Sequence, residues 1–364
     1  MKILVMANRD MGLYNFRFEL LKTLLDAGHD VTIFLPEGPK VAPMVEAGCR
    51  FIPMDIDKRG ANPFHDLDTM LHFRRVMRAV KPDVALLYTT KVCVYGGIVA
   101  AWCGVPYLLN VSGLGTAVEQ PGLIQRVTIG LYSRASRRAD CVFFQSDSNR
   151  RFFDEHHMSY GHYRMIPGSG VNLERWDPLP YPDEANGLHF LFIARLIREK
   201  GIEEYIAAAA EIRKNYPNCF FHILGPCDGD YEQLLNDRQA DGTIIYHGLV
   251  QDTREYLKWA HCTIHPSYYP EGISNVLLES AASARPVITT DRDGCRDTVD
   301  EGVSGFICKQ RDVPSLVECV ERFLALSTDE RRAMGLAGRE KVAREFDRRI
   351  VTEAYMQEIE RIDC

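Results

Sequence analysis

The sequence predicts an α/β protein with two Rossmann-like domains, each built on a parallel sheet, followed by a helical C-terminal tail. Three observations support this prediction. Short apolar runs alternate with amphipathic helical stretches, a segment rich in proline and glycine interrupts the alternation, and the pattern after Val313 is helical to the end. The length of 364 residues suits two domains of about 170–190 residues each.

The first half of the chain contains seven apolar runs that we interpret as strands. They cover residues 2–7, 30–35, 50–54, 83–88, 106–111, 141–145 and 163–166. Residues 15–27 repeat apolar side chains at helical spacing, and Gly28 follows, which predicts a helix that ends there. Continuous apolar strands separated by helices indicate a parallel sheet covered on both faces.

The alternation stops at residues 167–187, which contain four prolines and three glycines, and then resumes. The strands expected after this break cover residues 189–194, 218–224, 243–247, 262–265 and 286–289, with a short one over 305–308. The predicted organisation is therefore an N-terminal domain over 1–168, a linker over 169–187, a C-terminal domain over 188–345, and a helix over 346–364 that packs back on the N-terminal domain.

Composition narrows the class of protein. A net charge of -7 argues against nucleic-acid binding, which needs a net basic surface. The eleven cysteines form no C-x-x-C pair and indicate small buried side chains in a reducing compartment, so a cytoplasmic location is expected. Because the chain opens on a strand and contains no apolar run of about 18 residues, any membrane contact is expected to be peripheral.

The strongest functional signal follows the strand over 262–265. A polar loop containing Glu271 and Gly272 leads into an apolar helix that carries Glu279, with Ser274 or Asn275 as its N-cap. Free N–H groups at such a helix start bind phosphates, and carboxylates accept hydrogen bonds from hydroxyls, so the segment suits a sugar nucleotide. An ordinary capped, solvated helix is the alternative, and the strand–loop–helix setting favours ligand binding.

A second signal is a pair of cations after the strand over 189–194. Arg195 ends that strand and Lys200 follows five residues later, next to Gly201. Cations beyond a strand can bind a diphosphate and stabilise the charge on a departing one. Two unrelated surface cations are the alternative, and the position at a strand end favours the functional interpretation.

These residues, with Gly12 after the first strand and the helical tail, resemble the retaining glycosyltransferases of family GT4, which have the GT-B fold of two facing Rossmann-like domains. The resemblance covers essentially the whole chain. It implies that Glu271 contacts the donor sugar, Glu279 holds the ribose, Arg195 and Lys200 bind the diphosphate, and Gly12 lets the backbone approach the donor. The full set of donor-binding residues that it implies is Gly12, Arg195, Lys200, Glu271, Gly272, Ile273, Ser274, Asn275 and Glu279.

A tighter resemblance is to bacterial enzymes that extend lipid-linked oligosaccharides for capsule, O-antigen or glycoprotein glycans. Five motifs carry it: Gly12-Leu13-Tyr14-Asn15-Phe16-Arg17, Arg59-Gly60-Ala61-Asn62-Pro63, Tyr88-Thr89-Thr90-Lys91, Val111-Ser112-Gly113-Leu114-Gly115 and Pro167-Gly168-Ser169-Gly170-Val171-Asn172. It implies a UDP-sugar donor and an undecaprenyl-diphosphate-linked acceptor. The acceptor-binding residues that it implies are Asn15, Arg17, Lys91 and Ser112.

The chain departs from this family at one position. Many relatives carry an active-site histidine where this chain has Thr89-Thr90-Lys91, so Lys91 is either a group near the reacting centre or an ordinary surface charge. With Lys91, the candidate catalytic residues are Glu271, Arg195 and Lys200. The two D-x-D sequences, at 228–230 and 291–293, have the composition of turns, and the resemblance implies a reaction without a metal or other cofactor.

The same resemblance implies retention of configuration, with the departing diphosphate taking the proton of the acceptor hydroxyl. Two arginine clusters in the first half suggest peripheral contact with an anionic membrane, although a solvated helix face gives the same pattern. They are Arg74, Arg75 and Arg78, and Arg126, Arg134, Arg137 and Arg138.

Other classes of protein share parts of this sequence pattern. A nicotinamide-dependent oxidoreductase needs G-x-G-x-x-G after the first strand, where this chain has a single glycine. A sugar-nucleotide epimerase or phosphorylase of the same fold, and a non-catalytic sugar-nucleotide-binding protein, remain open alternatives.

Overall fold

A computed structural model of the chain describes residues 1–56, 63–113, 122–227, 229–270 and 272–363, apart from the side chains of residues 63–65 and 124. The chain divides into two compact units. Unit 1 comprises Met1–Ser169, Pro270–Gly272 and Arg349–Cys364, and unit 2 comprises Gly170–Tyr269 and Ile273–Arg348.

Unit 1 is built on a seven-stranded sheet in which every pairing is parallel. Its strands are β1 (Lys2–Met6), β2 (Asp30–Leu35), β3 (Arg50–Pro53), β4 (Val84–Tyr88), β5 (Tyr107–Val111), β6 (Cys141–Phe144) and β7 (Tyr163–Met165). The spatial order is β3-β2-β1-β4-β5-β6-β7. All seven strands predicted for this half are confirmed, because buried parallel strands are apolar on both faces and stand out in the sequence.

Helices cover both faces of this sheet. They are α1 (Asp10–Asp26), α2 (Val41–Glu46), α3 (Pro63–Val80), α4 (Thr90–Cys103), α5 (Leu123–Ser136) and α6 (Asp147–Glu155), together with the last helix of the chain, α13 (Arg348–Asp363). One core contains buried side chains of α3, α4 and α5, and the core on the other face contains those of α1, α2 and α13.

The C-terminal helix α13 is part of unit 1 by its contacts. The ring of Tyr355 stacks on that of Phe143 with centroids 4.1 Å apart. The carboxylate of Glu358 lies 2.9 Å from Nε2 of His162, and the guanidinium of Arg361 donates to the carbonyl of Asp140 at 2.6 Å. Apolar stacking and polar contacts therefore both hold the end of the chain against β6 and the segments flanking it.

Unit 2 is built on a six-stranded parallel sheet with the order β10-β9-β8-β11-β12-β13. Its strands are β8 (Leu188–Ile193), β9 (Cys219–Leu224), β10 (Ile245–Tyr246), β11 (Cys262–His265), β12 (Val287–Thr290) and β13 (Gly305–Cys308). Its helices are α7 (Ile202–Asn215), α8 (Glu232–Ala240), α9 (Arg254–Leu257), α10 (Asn275–Ala282), α11 (Val313–Leu324) and α12 (Thr328–Glu345). Within the described ranges of both units, no helix combines the length and the apolar character that crossing a bilayer requires.

The segment expected to be a linker, residues 169–187, differs from that expectation. Residues from Gly170 onward belong to unit 2, and Trp176 is buried there with 6% of its surface exposed. The fully buried guanidinium of Arg285 donates to the carbonyls of Leu179 at 3.2 Å and Pro180 at 2.8 Å. Proline and glycine mark an irregular path in the sequence, but they do not reveal that hydrogen bonds to a distant arginine fix that path.

Helix α1 begins earlier than predicted, at Asp10 rather than Asn15. An acidic residue in the first turn interacts favourably with the helix dipole, and the Asp10 carboxylate also accepts the N–H of Lys40 at 2.9 Å. Gly12 therefore lies in the first turn of α1 and not in an open loop.

Gly201 is a position where we expect even a small substitution to be poorly tolerated. Its φ is +78°, and a Cβ there would lie 2.2 Å from the carbonyl oxygen of Pro266. Gly201→Ala should lower the free energy of unfolding by about 3 kcal/mol, the sum of left-handed strain and backbone displacement. Urea unfolding followed by fluorescence of Trp176 and Trp259, both in unit 2, measures this.

The matched control is Gly242→Ala. Gly242 has a similar φ of +76°, but a Cβ there would meet no atom within 4 Å. Only the strain of about 1 kcal/mol should remain. Equal losses in the two variants would contradict the close approach at Pro266.

Candidate functional site

The order of the strands identifies one edge of each sheet as the place for a ligand. In unit 1 the order changes direction between β1 and β4, and in unit 2 between β8 and β11. Ligands of open α/β sheets bind outside the carboxyl ends of the strands at such points. Gly12 follows β1, Arg195 and Lys200 follow β8, and Ser274 follows β11, so these predicted residues lie on the segments that leave the two points.

In unit 2, the segments after β8 and β11 are joined by hydrogen bonds. The N–H of Tyr268 donates to the carbonyl of Glu199 at 2.9 Å, and the hydroxyl of Ser267 donates to the same carbonyl at 3.4 Å. The left-handed conformation of Gly201 allows its close approach to Pro266. The two loops therefore form one fixed edge beside the switch point of unit 2.

The two predicted cations differ in their surroundings. Arg195 is exposed, whereas Lys200 retains only 9% of its surface and lies in a one-turn helix, Arg198–Lys200. The Lys200 ammonium lies 5.0 Å from the centre of the Tyr269 ring, a cation–π distance that restricts its orientation. An exposed cation and a buried cation thus follow the same strand.

Ser274 occupies the N-cap position of α10 and is buried, with 3% exposed. Its side chain makes no capping hydrogen bond, which differs from the capping role expected for it, and its N–H donates to the carbonyl of Gly294 at 3.0 Å. Asn275 is the first residue of α10, and Gly272 and Ile273 are buried just before it. The Ser274 hydroxyl leaves the first-turn N–H groups of α10 available to an anion.

Glu279 is half-buried on α10, and Glu271 lies outside the described residues. Burial raises the pKa of the Glu279 carboxyl to about 7, and Asp252 raises it further, while Arg348 and Arg175 oppose the rise. The carboxyl therefore exchanges its proton near neutral pH, where it can accept or donate a hydrogen bond.

Unit 1 contains a cavity of about 210 Å³ at the carboxyl edge of its sheet. The segments after β1, β4 and β5 line it together with α1. The lining residues are Ala7, Asn8, Arg9, Gly12, Leu13, Phe16, Arg17, Tyr88, Thr89, Asn110, Ser112, Gln145 and Ser169. We name it the Arg17 pocket.

Three residues predicted to bind the donor or the acceptor line the Arg17 pocket, and two predicted acceptor-binding residues do not. Gly12, Arg17 and Ser112 line it, and a Cβ on Gly12 would meet no atom within 4 Å, so a ligand has room there. Asn15 and Lys91 are not among the lining residues. The Lys91 ammonium lies 3.4 Å from a carboxylate oxygen of Asp66, a separation that allows an ion pair.

Several polar residues of this pocket were not singled out from the sequence. Asn110 and Gln145 are buried, and the amide of Gln145 donates to Oδ1 of Asn110 at 3.2 Å. Thr89 has a φ of +73°, which is rare for a residue other than glycine. The available signal was weak: Asn110 interrupts an apolar strand, and Gln145 and Thr89 each follow one.

The two D-x-D sequences are described only in part. Asp228 lies outside the described residues, and the carboxylate of Asp291 accepts the side-chain amide of Gln310 at 2.9 Å. Elsewhere in the described ranges, Cys141, His162 and Glu358 lie close enough to share an ion. The arginines beside Glu358, including Arg361 at 2.9 Å, oppose a cation there.

Two family models match the chain, one for each half. The model described as "Glycosyl transferase 4-like domain" matches residues 15–168, and the model described as "Glycosyl transferases group 1" matches residues 182–341.

One similar protein is the N,N'-diacetylbacillosaminyl-diphospho-undecaprenol alpha-1,3-N-acetylgalactosaminyltransferase of Campylobacter jejuni, which is 24% identical over 100% of this chain and 99% of its own. The capsular polysaccharide biosynthesis glycosyltransferase CapM of Staphylococcus aureus is 28% identical over 44% of this chain and 43% of its own.

Solved structures share the fold along the whole chain. A glycosyltransferase from Rickettsia africae superposes with a TM-score of 0.81 at 18% identity, covering 99% of this chain and 98% of its own. Anabaena HepE in complex with UDP-glucose superposes with a TM-score of 0.82 at 17% identity, covering 99% of both chains. Both domains are of the GT-B type.

The raised pKa of Glu279 predicts a pH-dependent stability. The folded state holds this proton more tightly than the unfolded state, whose carboxyl has a pKa near 4.5. The free energy of unfolding of the native chain, compared with that of Glu279→Gln, should therefore fall by about 1–3 kcal/mol as the pH rises from about 4.5 to about 7. Urea unfolding of both proteins across this range measures it.

The control is Glu321→Gln, which removes an exposed carboxylate on α11 of the same unit. Comparing it with the native chain corrects for the loss of one carboxylate from the surface of this unit. If the Glu279→Gln curve runs parallel to that of the native chain, the carboxyl does not titrate as described.

Proposed function

Because this chain belongs to the GT4-type glycosyltransferases, we propose that it moves a hexose or N-acetylhexosamine from a UDP-sugar to a saccharide linked to undecaprenyl diphosphate. The transfer would serve bacterial surface polysaccharide or glycan assembly, such as capsule or O-antigen, and would need no metal or other cofactor. One observation carries the donor half of this proposal: at the switch point of unit 2, buried Lys200 and the uncapped start of α10 follow neighbouring strands.

The charge of each donor-binding residue indicates the part of the donor that it would bind. Arg195, Lys200 and the first-turn N–H groups of α10 that follow Ser274 would bind the diphosphate, because cations and helix N-termini favour anions. Glu279 would accept a ribose hydroxyl, and Glu271 a hydroxyl of the transferred sugar. Gly12 would leave space for the donor beside α1, consistent with the open space at its Cβ position.

The reaction follows from that distribution of charge. The bond between the anomeric carbon and the diphosphate oxygen breaks, and the acceptor hydroxyl oxygen bonds to the anomeric carbon on the same face. The hydroxyl proton passes to the departing diphosphate. Lys200 and Arg195 stabilise the negative charge that develops on the leaving group, so no protein nucleophile is required. Lys91, held near Asp66, is a candidate group near the reacting centre.

The choice of substrates draws on the relatives. The Campylobacter jejuni enzyme is named for an undecaprenol-diphosphate-linked acceptor and matches along its full length, and HepE has been solved with UDP-glucose. The first match supports a lipid-linked acceptor for this chain, and the second is consistent with a UDP-sugar donor.

The direct test is UDP release from a panel of UDP-sugars, with and without a polyprenyl-diphosphate-linked sugar acceptor. Release that requires the acceptor, from one donor, is the expected result, and the anomeric configuration of the product by NMR tests retention. Release without any acceptor would favour the epimerase alternative. No nucleotide release from UDP-, GDP- or dTDP-linked sugars would favour a non-catalytic binding protein.

Lys200→Met should lower kcat/KM for transfer by about 10²–10³-fold, the range seen when a charge-stabilising donor is removed. Lys258→Met is the matched control, because Lys258 is an exposed lysine of the same unit paired with Glu255 at 2.7 Å. Steady-state rates of both variants, with circular dichroism to confirm folding, measure the difference. Similar rates would exclude Lys200 from the donor site.

We also propose that unit 1 works at the inner face of the cell membrane. The outer surface of α3 to α5, here named the basic face, exposes the arginines 74, 75 and 78 and the arginines 126, 134, 137 and 138. Large exposed apolar side chains interleave with them: Leu67, Leu71, Trp102, Leu123 and Val127. In a chain with a net charge of -7, this concentration of positive and apolar groups suits an anionic lipid surface.

Replacing Arg74, Arg75 and Arg78 together by glutamine should weaken binding to anionic vesicles by about 100-fold, since each arginine contributes about 1 kcal/mol. Flotation with phosphatidylcholine vesicles, with and without phosphatidylglycerol, measures it. A control variant replaces three exposed arginines of unit 2, namely Arg238, Arg322 and Arg332. Equal binding of both triple variants would remove the basic face from membrane contact.

A further inference from the structure

Arg17 places a positive charge in the interior of unit 1. Its side chain lies on α1, lines the Arg17 pocket and has 4% of its surface exposed. One terminal nitrogen donates to the carbonyl of Phe16 at 2.8 Å, and Nε has no hydrogen-bond partner. No carboxylate of the described ranges forms an ion pair with it. A buried cation without a counter-ion is costly, so this arrangement calls for a compensating group.

The buried arginine of unit 2 shows how the same side chain is satisfied in a structural role. Arg285 is fully buried, and its three nitrogens donate to main-chain carbonyls, including that of Leu257 at 2.7 Å and that of Pro180 at 2.8 Å. Arg17 is instead flanked by aromatic rings, with its guanidinium carbon 5.3 Å from the centre of the Tyr88 ring and 5.8 Å from that of Tyr355. The rings restrict the orientation of the guanidinium, and the Tyr88 hydroxyl lies close enough to interact with it.

Other donors near Arg17 are also unused. The Thr89 hydroxyl is buried without a hydrogen-bond partner, and the Tyr88 hydroxyl is buried beside Arg17 and Tyr355 without a well-formed hydrogen bond to either. Both residues line the pocket. Thr89 holds the strained φ of +73°. Buried polar atoms in native interiors are nearly always paired, so a cluster of unpaired donors around one cavity indicates an absent acceptor.

The cavity sets the size and the chemistry of that acceptor. Its volume of about 210 Å³ is roughly seven times the share of one water molecule in the liquid, enough for a group of several heavy atoms. Among the described residues that line it there is no aspartate or glutamate. A group with several anionic oxygens matches a planar guanidinium and two hydroxyl donors, and phosphate is the group that guanidinium binds in a bidentate manner.

We propose that the Arg17 pocket binds a phosphate group of the lipid-linked acceptor, which makes Arg17 a specificity residue for the diphosphate of that acceptor. This inference rests on the proposed function, which supplies an acceptor bearing phosphate. It implies that the chain distinguishes a diphosphate-linked saccharide from the same saccharide without phosphate, through unit 1 alone and before any transfer takes place.

The test is calorimetric binding to the full chain in the absence of donor. The probes are a short-alkyl diphosphate ester of an N-acetylhexosamine and the alkyl glycoside of the same sugar without phosphate. Arg17→Met should weaken binding of the diphosphate probe by about 10- to 100-fold, the range for a hydrogen bond to a charged group. It should leave the affinity for the neutral glycoside and for UDP within two-fold of the native values. Arg17→Lys should lie between.

Tyr88→Phe separates recognition from packing. Removing a buried hydroxyl that has no well-formed hydrogen bond should leave the urea midpoint equal or higher. If the hydroxyl donates to phosphate, the same variant should bind the diphosphate probe several-fold more weakly. A variant that loses stability and keeps its affinity would show that the hydroxyl serves the fold only.

Three results would overturn the proposal. The native chain could fail to bind the diphosphate probe at millimolar concentration, or folded Arg17→Met could bind it as tightly as the native chain. Arg17→Met could also weaken the binding of UDP and leave the binding of the acceptor probe unchanged, which would mean that the pocket binds a phosphate of the donor. Because binding is measured without turnover, a chain that binds the probe but transfers no sugar would refute the proposed function and leave this inference standing.

Discussion

Within each of the two sheets all strands are parallel, and the placement of the functional residues depends on that constraint. A connection between parallel strands must return along the full length of the sheet, so helices cover both faces and all carboxyl ends meet at one edge. Reversal of the strand order then opens a crevice at that edge, between β1 and β4 in unit 1 and between β8 and β11 in unit 2. Residues far apart in sequence, such as Gly12 and Ser112, reach the same cavity for this reason.

The same constraint explains what the sequence could predict. Strands buried on both faces must be apolar throughout, so all thirteen were found, with their ends displaced by at most two residues. Arg195 and Lys200 could be placed near the switch point of unit 2 because they come after such a strand. The sequence did not reveal features that depend on distant hydrogen-bond partners. Helix α1 starts at Asp10, whose carboxylate accepts a hydrogen bond from the N–H of Lys40. Hydrogen bonds from Arg285 fix the segment after Gly170. The strained Thr89 has no sequence signature, because only its packing selects a positive φ.

Unit 2 shows how polar groups are buried where no ligand is needed. His189, His222 and His247 form a chain of ring nitrogens 2.9 and 3.0 Å apart. Burial, together with the two neighbouring histidines, lowers the pKa of His222 to about 3, so the central ring remains neutral and can donate and accept along the chain. Arg285 is satisfied by carbonyls in the same way. The Nε of Arg17, by contrast, has no hydrogen-bond partner and lies at a cavity, which is an exception to the pattern of Arg285.

The surroundings of Arg17 also depend on the last helix of the chain, α13. Tyr355 of α13 stacks on Phe143 of β6 and supplies the second ring near the Arg17 guanidinium. The ring of Tyr88, at the carboxyl end of β4, lies 5.9 Å from that of Tyr355. The environment of Arg17 is therefore complete only when α13 has packed on unit 1, after the whole of unit 2 has been synthesised. The discontinuity of unit 1 couples recognition at the N-terminal sheet to the completeness of the chain, because a truncated protein would expose the guanidinium to water and remove the low-dielectric setting that strengthens its bond to phosphate.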